Sequence, residues 1–139
     1  MQTETNKALL EQAIDDFNNG NLSGYFDMYS PDVIIHGYHG IGRGIDNIRG
    51  FYRALSSALP DGRIELKDVV GEGNKVACRF VFTGTHKGTL NGVPPTGINI
   101  NLMGSNILRF DNGKCVERWS QSNYLWILRQ LESSRRRGS

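Results

Sequence analysis

Two of the three histidines lie three residues apart in the stretch PDVIIHGYHGIGRGIDNI, residues 31–48. A neutral imidazole accepts a proton near neutral pH or ligates a metal. A catalytic zinc site needs three protein ligands in one place, which His36, His39 and the distant His86 would have to supply. Residues three apart on a strand point to opposite faces, so the spacing gives no support for that convergence. We expect no metal site.

The glycines of the same stretch resemble a dinucleotide-binding fingerprint only in part. Gly40, Gly42 and Gly44 give G-x-G-x-G, and Ile45 stands where the third required glycine belongs. No second parallel strand follows to complete a βαβ unit. The glycines instead predict a tight turn at the mouth of a cavity.

Polar side chains also recur with strand spacing near the C-terminus. Strand alternation places Glu117, Trp119 and Gln121 on one face, with Asn123 following if the strand continues. A pocket lined in this way has an aromatic wall, two amides and one carboxylate. Asn123 also directly precedes a helical segment, so its alternative role is that of an N-cap.

Asp68 and Arg79 are the remaining polar candidates. Alternation puts Asp68 on the same side of its strand as the apolar Ile64, which predicts that it points inward as a second candidate base. Arg79 lies in an otherwise apolar strand and needs a partner, either Glu117 or Asp68, because a buried unpaired charge is costly. Four aromatic residues are expected in the core or pocket wall: Tyr25, Tyr29, Tyr38 and Phe51.

Helices come first in the elements that position these residues, and strands follow. The apolar spacing predicts helices over 6–18, capped by Thr3 or Thr5, over 22–30, over 45–59 and over 123–131. Strands are predicted over 32–39, 63–70, 75–86, 100–110 and 114–122, and DNG forms a hairpin turn between the last two. This order predicts an α+β fold with a mostly antiparallel sheet.

The longest strand is apolar on both faces, although a sheet with one buried face should alternate more cleanly. Its apolar residues are Val76, Cys78, Phe80 and Phe82 on one side and Ala77, Val81 and Thr83 on the other. We therefore expect one face to pack on the helices and the other on a second subunit, giving a homodimer or a tetramer.

Bulk composition predicts a single domain over residues 1–132 and a disordered basic tail or expression remnant over 133–139. The formal charge of +2 becomes −1 without the three tail arginines, so no basic face for nucleic acid is expected. No apolar run has the length of a membrane span. The isolated cysteines Cys78 and Cys115 favour reduced, buried thiols, and we expect a cytoplasmic protein.

Several segments in this order resemble the SnoaL-like polyketide cyclases of the nuclear-transport-factor-2-like superfamily: PDVIIHG, FTGTHKGTLNGVPPTG, SNILRFDNGKCVERW and ILRQL. The resemblance covers roughly residues 5–131. It implies a cone-shaped α+β barrel, in which a curved sheet wraps the N-terminal helices around a deep, mostly apolar pocket. It also implies assembly through the outer sheet face.

The resemblance further implies ring closure of a polyketide ester by intramolecular aldol condensation, without metal or organic cofactor. In the family pattern an acid/base aspartate follows the strand tryptophan by four residues. Here Trp119 is followed at that distance by Asn123. An amide cannot take a proton from carbon at neutral pH and only donates and accepts hydrogen bonds. The family pattern also places His36 at a position that often faces the pocket.

Three hypotheses result. The first is a cofactor-free cyclase or isomerase acting on a hydrophobic, carbonyl-containing small molecule, with His36 as proton-transfer group and Asn123, Trp119 and Gln121 shaping the substrate. The second is a small-molecule-binding protein without chemistry, because the aspartate is missing. The third is an epoxide hydrolase of the same superfamily, whose Asp–Arg–Asp relay only Arg79 and Asp68 could begin to supply.

Overall fold

The computed structural model describes residues 2–37 and 40–138, so Tyr38 and His39 lie outside the described residues. The elements follow in the order α1 (Gln2–Asn18), α2 (Leu22–Phe26), β1 (Tyr29–Gly37), β2 (Gly40–Arg43), α3 (Asp46–Ala58), β3 (Arg63–Glu72), β4 (Lys75–Thr85), β5 (Asn99–Asp111), β6 (Lys114–Ser122) and α4 (Tyr124–Gly138). The predicted α+β class is confirmed.

The strands form one six-stranded sheet in the order β2-β1-β6-β5-β4-β3. Strand β1 runs parallel to β6, and the other neighbouring strands are antiparallel. The β1–β6 pair joins the first half of the chain to the last strand. Residues far apart in sequence therefore meet in the middle of the sheet.

Helices α1 and α3 cover one face of this sheet with apolar side chains. In α1, Leu10, Ile14 and Phe17 recur at helical spacing and are buried. The helix begins earlier than the sequence predicted, so Thr3 lies inside it and its hydroxyl donates to the carbonyl of Gly73 at 2.8 Å. The prediction of a cap at Thr3 or Thr5 is therefore wrong.

The GIGR segment pairs with β1 as the short strand β2, with Ile34 opposite Arg43. The sequence had predicted a turn here. The reversal that leads into α3 occurs at Gly44, whose φ of +94° favours glycine. Its N–H donates to the carbonyl of Val33 at 2.8 Å, which fixes the start of α3 against β1.

Two β-bulges decide which side chains face the helices. On β3, Leu66 pairs with Phe80 and Asp68 with Arg79, so Lys67 is an extra residue. On β6 the register shifts between the pairs Phe110–Cys115 and Arg109–Glu117, so Val116 is an extra residue. Each inserted residue reverses the alternation beyond it.

The register beyond the bulges defines two rows of side chains on opposite faces. The inner row faces the helices and consists of Val69, Cys78, Asn106 and Ser120, with Arg118 and Leu108 paired beside it. The outer row lies on the other face and consists of Val70, Ala77, Ile107, Trp119 and His36. Leu108 is 1% exposed and Ile107 is 44% exposed, which fixes the assignment of the two faces.

Helix α4 packs through Ile127, Leu128 and Leu131, which are buried. Leu125 on the same helix is exposed. The helix continues to Gly138, where the sequence predicted a disordered tail from residue 133. No helix within the described residues is long and apolar enough to cross a bilayer.

Asn18 joins the end of α1 to β3. Its amide donates to the carbonyl of Ile64 and accepts from the N–H of Ile64, each at 2.8 Å. We expect Asn18→Ala to lower the free energy of unfolding by about 1–3 kcal/mol, because it leaves both backbone groups of a partly buried pair unsatisfied. Urea unfolding measures this loss, and Asn19→Ala is the matched control at an exposed position. Equal stability of the two variants would contradict the role of the Asn18 amide.

Asp61 gives the stability of the fold a dependence on pH. Its carboxylate accepts from the backbone N–H and the hydroxyl of Thr85, each at 2.8 Å, and these bonds lower the pKa of Asp61. A lowered folded-state pKa adds stability above the unfolded value of about 3.9, and that stability is lost as the pH falls through the folded value. We expect Asp61→Asn to be less stable than the wild type near neutral pH.

Urea midpoints measured from neutral to acidic pH should show the wild type and Asp61→Asn converging at the acidic end. The exposed Asp32→Asn is the control for removing one carboxylate. A gap between the wild type and Asp61→Asn that stays constant with pH would contradict the assignment.

Candidate active site between the helices and the inner sheet face

A cavity of about 1080 Å³ lies between the inner sheet face and helices α1 and α3. Most of its wall is apolar, including Leu10, Ile14, Leu55, Phe80 and Phe82. On the sheet its lining includes the consecutive residues 105–108 and 118–122. Successive strand side chains alternate between faces, so part of this wall is strand main chain.

Arg118 is the charged group inside this cavity. It is only 6% exposed, and it reaches the cavity because the bulge at Val116 turns it inward. Its Nε donates to the hydroxyl of Ser120 at 2.6 Å and its Nη1 to the hydroxyl of Tyr29 at 3.0 Å. Among the described residues no carboxylate forms a salt bridge with it. Arg118 is therefore a buried cation held by neutral partners.

Three tyrosines surround the guanidinium. The hydroxyls of Tyr25 and Tyr29 are 2.9 Å apart, and the guanidinium carbon lies 5.6 Å from the centre of the Tyr52 ring. Burial raises the pKa of Tyr29, and burial together with the neighbouring tyrosines raises the pKa of Tyr25. Both phenols are therefore neutral at physiological pH and serve as hydrogen-bond donors rather than bases.

Asn106 adds a second polar group to the inner face. It lies between Cys78 and Ser120 in the inner row and lines the cavity. Its side-chain oxygen is buried and has no hydrogen-bond partner among the described residues. Burial raises the pKa of the Cys78 thiol, its neighbour in the inner row. Among the described residues the Asn106 oxygen is therefore a buried acceptor without a donor.

His36 belongs to a different cluster. Its Nε2 lies 2.7 Å from Oε2 of Glu117, and its ring stacks on Trp119 with centroids 5.1 Å apart. Oε1 of Glu117 accepts from Arg109 at 3.0 Å. The bonds from His36 and then Arg109 lower the pKa of Glu117, so the ionised carboxylate accepts and His36 Nε2–H donates. When the ring carries one proton, Nδ1 is its acceptor.

This second cluster lies on the outer sheet face. Trp119 and His36 belong to the outer row, and Glu117 pairs with Arg109 next to that row. His36, Trp119 and Gln121 are also part of the cavity wall. Glu117 is not. The prediction that Glu117, Trp119 and Gln121 share a face is confirmed, but the bulge turns that face away from the helices.

Asn123 does not reach the cavity. Its side-chain oxygen accepts from the backbone N–H of Met103 at 2.9 Å, and its amide nitrogen donates to the carbonyl of Asn101 at 3.3 Å. Its carbonyl accepts the N–H of Ile127, so Asn123 is the N-cap residue by position, although its side chain binds β5 instead of the helix. The prediction that its amide projects into the pocket is wrong in this geometry.

Asp68 also faces outward, and the prediction that it points toward the core is wrong because the bulge at Lys67 reverses the alternation. Its carboxylate accepts from Arg79 at 2.7 Å, which confirms Asp68 as the partner expected for Arg79. Both side chains are more than half exposed, so they form a surface ion pair outside the cavity. This placement removes the residues on which the epoxide hydrolase hypothesis depended.

The third histidine, His86, is fully buried in the loop that follows β4. Its Nδ1 accepts the N–H of Thr96 at 3.2 Å, which ties the two ends of the loop together. Burial lowers the pKa of His86, so the ring is neutral. His86 is not part of the cavity wall, and the described residues contain no group of three or more His, Cys, Asp or Glu suited to a metal ion.

Of the aromatic residues predicted for the pocket, Tyr25 and Phe51 line the cavity, and Tyr38 lies outside the described residues. Sequence reasoning missed Arg118, Asn106 and Ser120. Alternation separated Arg118 from Glu117 and Trp119, but the bulge that selects the inner set leaves no distinct mark in the sequence. The available signal was an arginine within a predicted strand, because a charged residue needs a partner if the strand is buried.

Comparison with known proteins agrees with this architecture. Residues 8–131 match the SnoaL-like polyketide cyclase family. The nogalonic acid methyl ester cyclase of Streptomyces nogalater is 28% identical over 105 residues, which are 76% of this chain and 77% of that protein.

Two solved structures extend the match. AclR, a hydroxylase candidate from Streptomyces galilaeus, is 30% identical with a TM-score of 0.84 and covers 94% of this chain and 98% of its own. IdmH, a polyketide cyclase candidate from Streptomyces antibioticus, is 29% identical with a TM-score of 0.77 and covers 91% and 98%. The predicted nuclear-transport-factor-2-like fold is confirmed, and the chain belongs to the SnoaL-like polyketide cyclase family.

Proposed function

We propose that this protein is a cofactor-free cyclase or isomerase that acts on a hydrophobic, carbonyl-containing, polyketide-like molecule. The observation that carries the proposal is Arg118, a buried cation in an apolar cavity of about 1080 Å³. A preorganised donor of this kind stabilises an enolate oxygen more strongly in an apolar site than in water. Family membership supports the substrate class, since a cyclase for nogalonic acid methyl ester is among the relatives.

In this proposal Arg118 and the neutral Tyr29 hydroxyl activate the substrate carbonyl. Removal of a proton from the adjacent carbon forms an enolate, whose oxygen takes up negative charge beside the guanidinium. The enolate carbon then attacks a second carbonyl of the same molecule, and the resulting alkoxide takes up a proton. Bonds and charges balance within one substrate, so the reaction needs no oxidant or reductant.

His36 is the proposed proton-transfer group. It is part of the cavity wall, and Glu117 holds its Nε2–H so that Nδ1 is the basic nitrogen. The carboxylate in turn is held by Arg109. A histidine oriented by a carboxylate is a common general base. The contacts of the ring belong to the outer row, so this proposal requires the substrate to extend from Arg118 to the Nδ1 atom of His36 on β1.

We expect His36→Gln to lower the turnover of nogalonic acid methyl ester, or of a panel of related esters, by about 100-fold or more, because glutamine has no basic nitrogen. Single-turnover product formation measures the rate. Glu117→Gln should cause a smaller loss, since it weakens the orientation of the ring but keeps the base. Turnover by His36→Gln at the wild-type rate would show that another group moves the proton.

The second candidate function is ligand binding without chemistry. It is favoured by one observation: the described part of the cavity wall contains no aspartate or glutamate. Under this alternative the protein binds the same esters, and a wild-type single-turnover experiment returns them unchanged. Tight binding without product would therefore replace the enzyme proposal with the binding proposal.

We also propose that the protein assembles as a dimer or tetramer through the outer sheet face. Val70, Met103 and Ile107 lie on this face and are 61%, 52% and 44% exposed. Val70 and Ile107 belong to the outer row, which continues to Trp119 and His36. Apolar side chains aligned across neighbouring strands form a flat face that a second copy can cover.

We expect Ile107→Arg to reduce the assembly to a monomer, because the buried interface would then contain an unpaired charge in each subunit. Native mass spectrometry measures the subunit number. Trp126→Arg is the control, since Trp126 is 59% exposed but lies on α4 rather than on the sheet. A monomeric wild type, or an oligomer that Ile107→Arg leaves intact, would contradict the proposed interface.

A further inference from the structure

The inner sheet face carries a buried cation without a carboxylate partner and a buried hydrogen-bond acceptor without a donor, both among the described residues. Arg118 is a cation, 6% exposed, with hydroxyl partners and no carboxylate among the described residues. The oxygen of Asn106 is a buried acceptor without a donor within the same part of the chain. Buried charges and buried acceptors normally have partners. Because Arg118 and Asn106 line the same cavity, a ligand in that cavity can supply the partners that the protein does not.

The strand register fixes how these two groups are arranged. Asn106 pairs with Ser120, and Leu108 pairs with Arg118, so Asn106 and Arg118 are diagonal neighbours on one face of β5 and β6. Diagonal neighbours have Cβ atoms about 7–8 Å apart. Ser120 lies between them and accepts from Arg118 Nε at 2.6 Å, which holds the guanidinium beside the amide. A single ligand can therefore contact both.

We propose that the cavity binds its ligand as an oxyanion, with the anionic oxygen at Arg118 and a neighbouring ligand hydroxyl donating to Asn106. The inference rests on the proposed function for the site and goes beyond it, because a neutral keto ester satisfies neither group fully. The chemistry required is an acidic oxygen, either a carboxylate or an ionised enol, with a hydroxyl group close to it. Such a pair is common in hydroxylated aromatic acids and hydroxyquinones.

The surrounding groups favour an anion over a neutral ligand. The tyrosines next to Arg118 are neutral, because burial raises the pKa of both Tyr25 and Tyr29. The carboxylate of Glu117 is engaged with His36 and Arg109 on the other face of the sheet. No side chain described in the cavity wall supplies the negative charge, which leaves that role to the ligand.

The two groups should differ in what they select. Arg118 should select for charge, since a hydrogen bond to an ionised group in an apolar site is stronger than one to a neutral group. Asn106 should select for the hydroxyl, since an analogue without it leaves the buried oxygen unpaired. Asn106 is thus a specificity-determining residue, and Arg118 is the binding residue for the anion.

The test uses two pairs of probes on the full-length protein. One pair is a hydroxynaphthoic acid, with the hydroxyl next to the carboxylate, and its methyl ester. The other pair is lawsone, a hydroxynaphthoquinone that is an ionised enol near neutral pH, and its methyl ether. Since the only hydroxyl of lawsone is ionised, this pair tests the anionic oxygen alone. Isothermal titration calorimetry at neutral pH measures the dissociation constants. We expect the anionic member of at least one pair to bind about 10- to 100-fold more tightly than its neutral partner.

The pair that shows this preference identifies the source of the anion as carboxylate or enol. Arg118→Gln should remove the preference, because it weakens binding of the anionic probe more than binding of the neutral probe. Arg79→Gln, which removes an arginine from the outer face, should keep the preference. If Arg118→Gln does not fold, the ratio of the dissociation constants of acid and ester for the wild type still decides between the outcomes. Equal binding within both pairs, or no binding of any probe, overturns the proposal.

The hydroxyl contact has a separate readout. Naphthoic acid without the hydroxyl should bind the wild type about 5- to 20-fold more weakly than the hydroxy acid, and Asn106→Ala should abolish this difference. Asn101→Ala on the same strand is the matched control, because Asn101 is exposed and outside the cavity wall. A hydroxyl preference that persists in Asn106→Ala shows that Asn106 is not the acceptor. If the acid and its ester bind equally and the protein still turns over neutral esters, the proposed function stands and this inference fails.

Discussion

The burial of one positive charge determines the character of this cavity. A guanidinium on the inner face of a curved sheet loses most of its hydration, and several kcal/mol are at stake when an ion is buried. Here Arg118 is held by two hydroxyls and the face of a tyrosine ring. These neutral partners orient the group without cancelling its charge. The cavity therefore keeps a positive potential in an otherwise apolar setting, which is what recognition of a polarised carbonyl or an anion requires.

Two bulges explain how that charge comes to be inside. Without Val116 as an extra residue, Glu117 and Trp119 would face the helices and Arg118 would lie outside. The bulge at Lys67 has the same effect on β3, where it sends Asp68 outward and returns Val69 to the inner face. In both strands a single inserted residue keeps a carboxylate out of the cavity. Among the described residues, the lack of a compensating negative charge beside Arg118 follows from these local features of the backbone.

Asn123 stands where the family pattern has an acid/base aspartate, and in this chain it has a structural role. Asn123 uses both ends of its amide on the backbone of β5, which fastens the start of α4 to the sheet. A carboxylate could accept from Met103 but could not donate to Asn101. Proton transfer, if it occurs at a side chain, must then be performed elsewhere. The His36–Glu117 pair supplies a histidine oriented by a carboxylate, and His36 is one of the residues that line the cavity.

The sequence by itself determined the fold class and the order of most elements, because apolar periodicity and turn residues are local properties. The family followed from the resemblance of several segments to known cyclases. The sequence also determined that Glu117, Trp119 and Gln121 share a face. It could not determine which face this is, since hydrogen bonds between strands decide where a bulge forms. The pairing of Asn106 with Ser120 and the approach of Tyr29 to Arg118 join residues from distant segments. Only the tertiary structure could bring these groups together, because strand register and helix packing place them in one cavity.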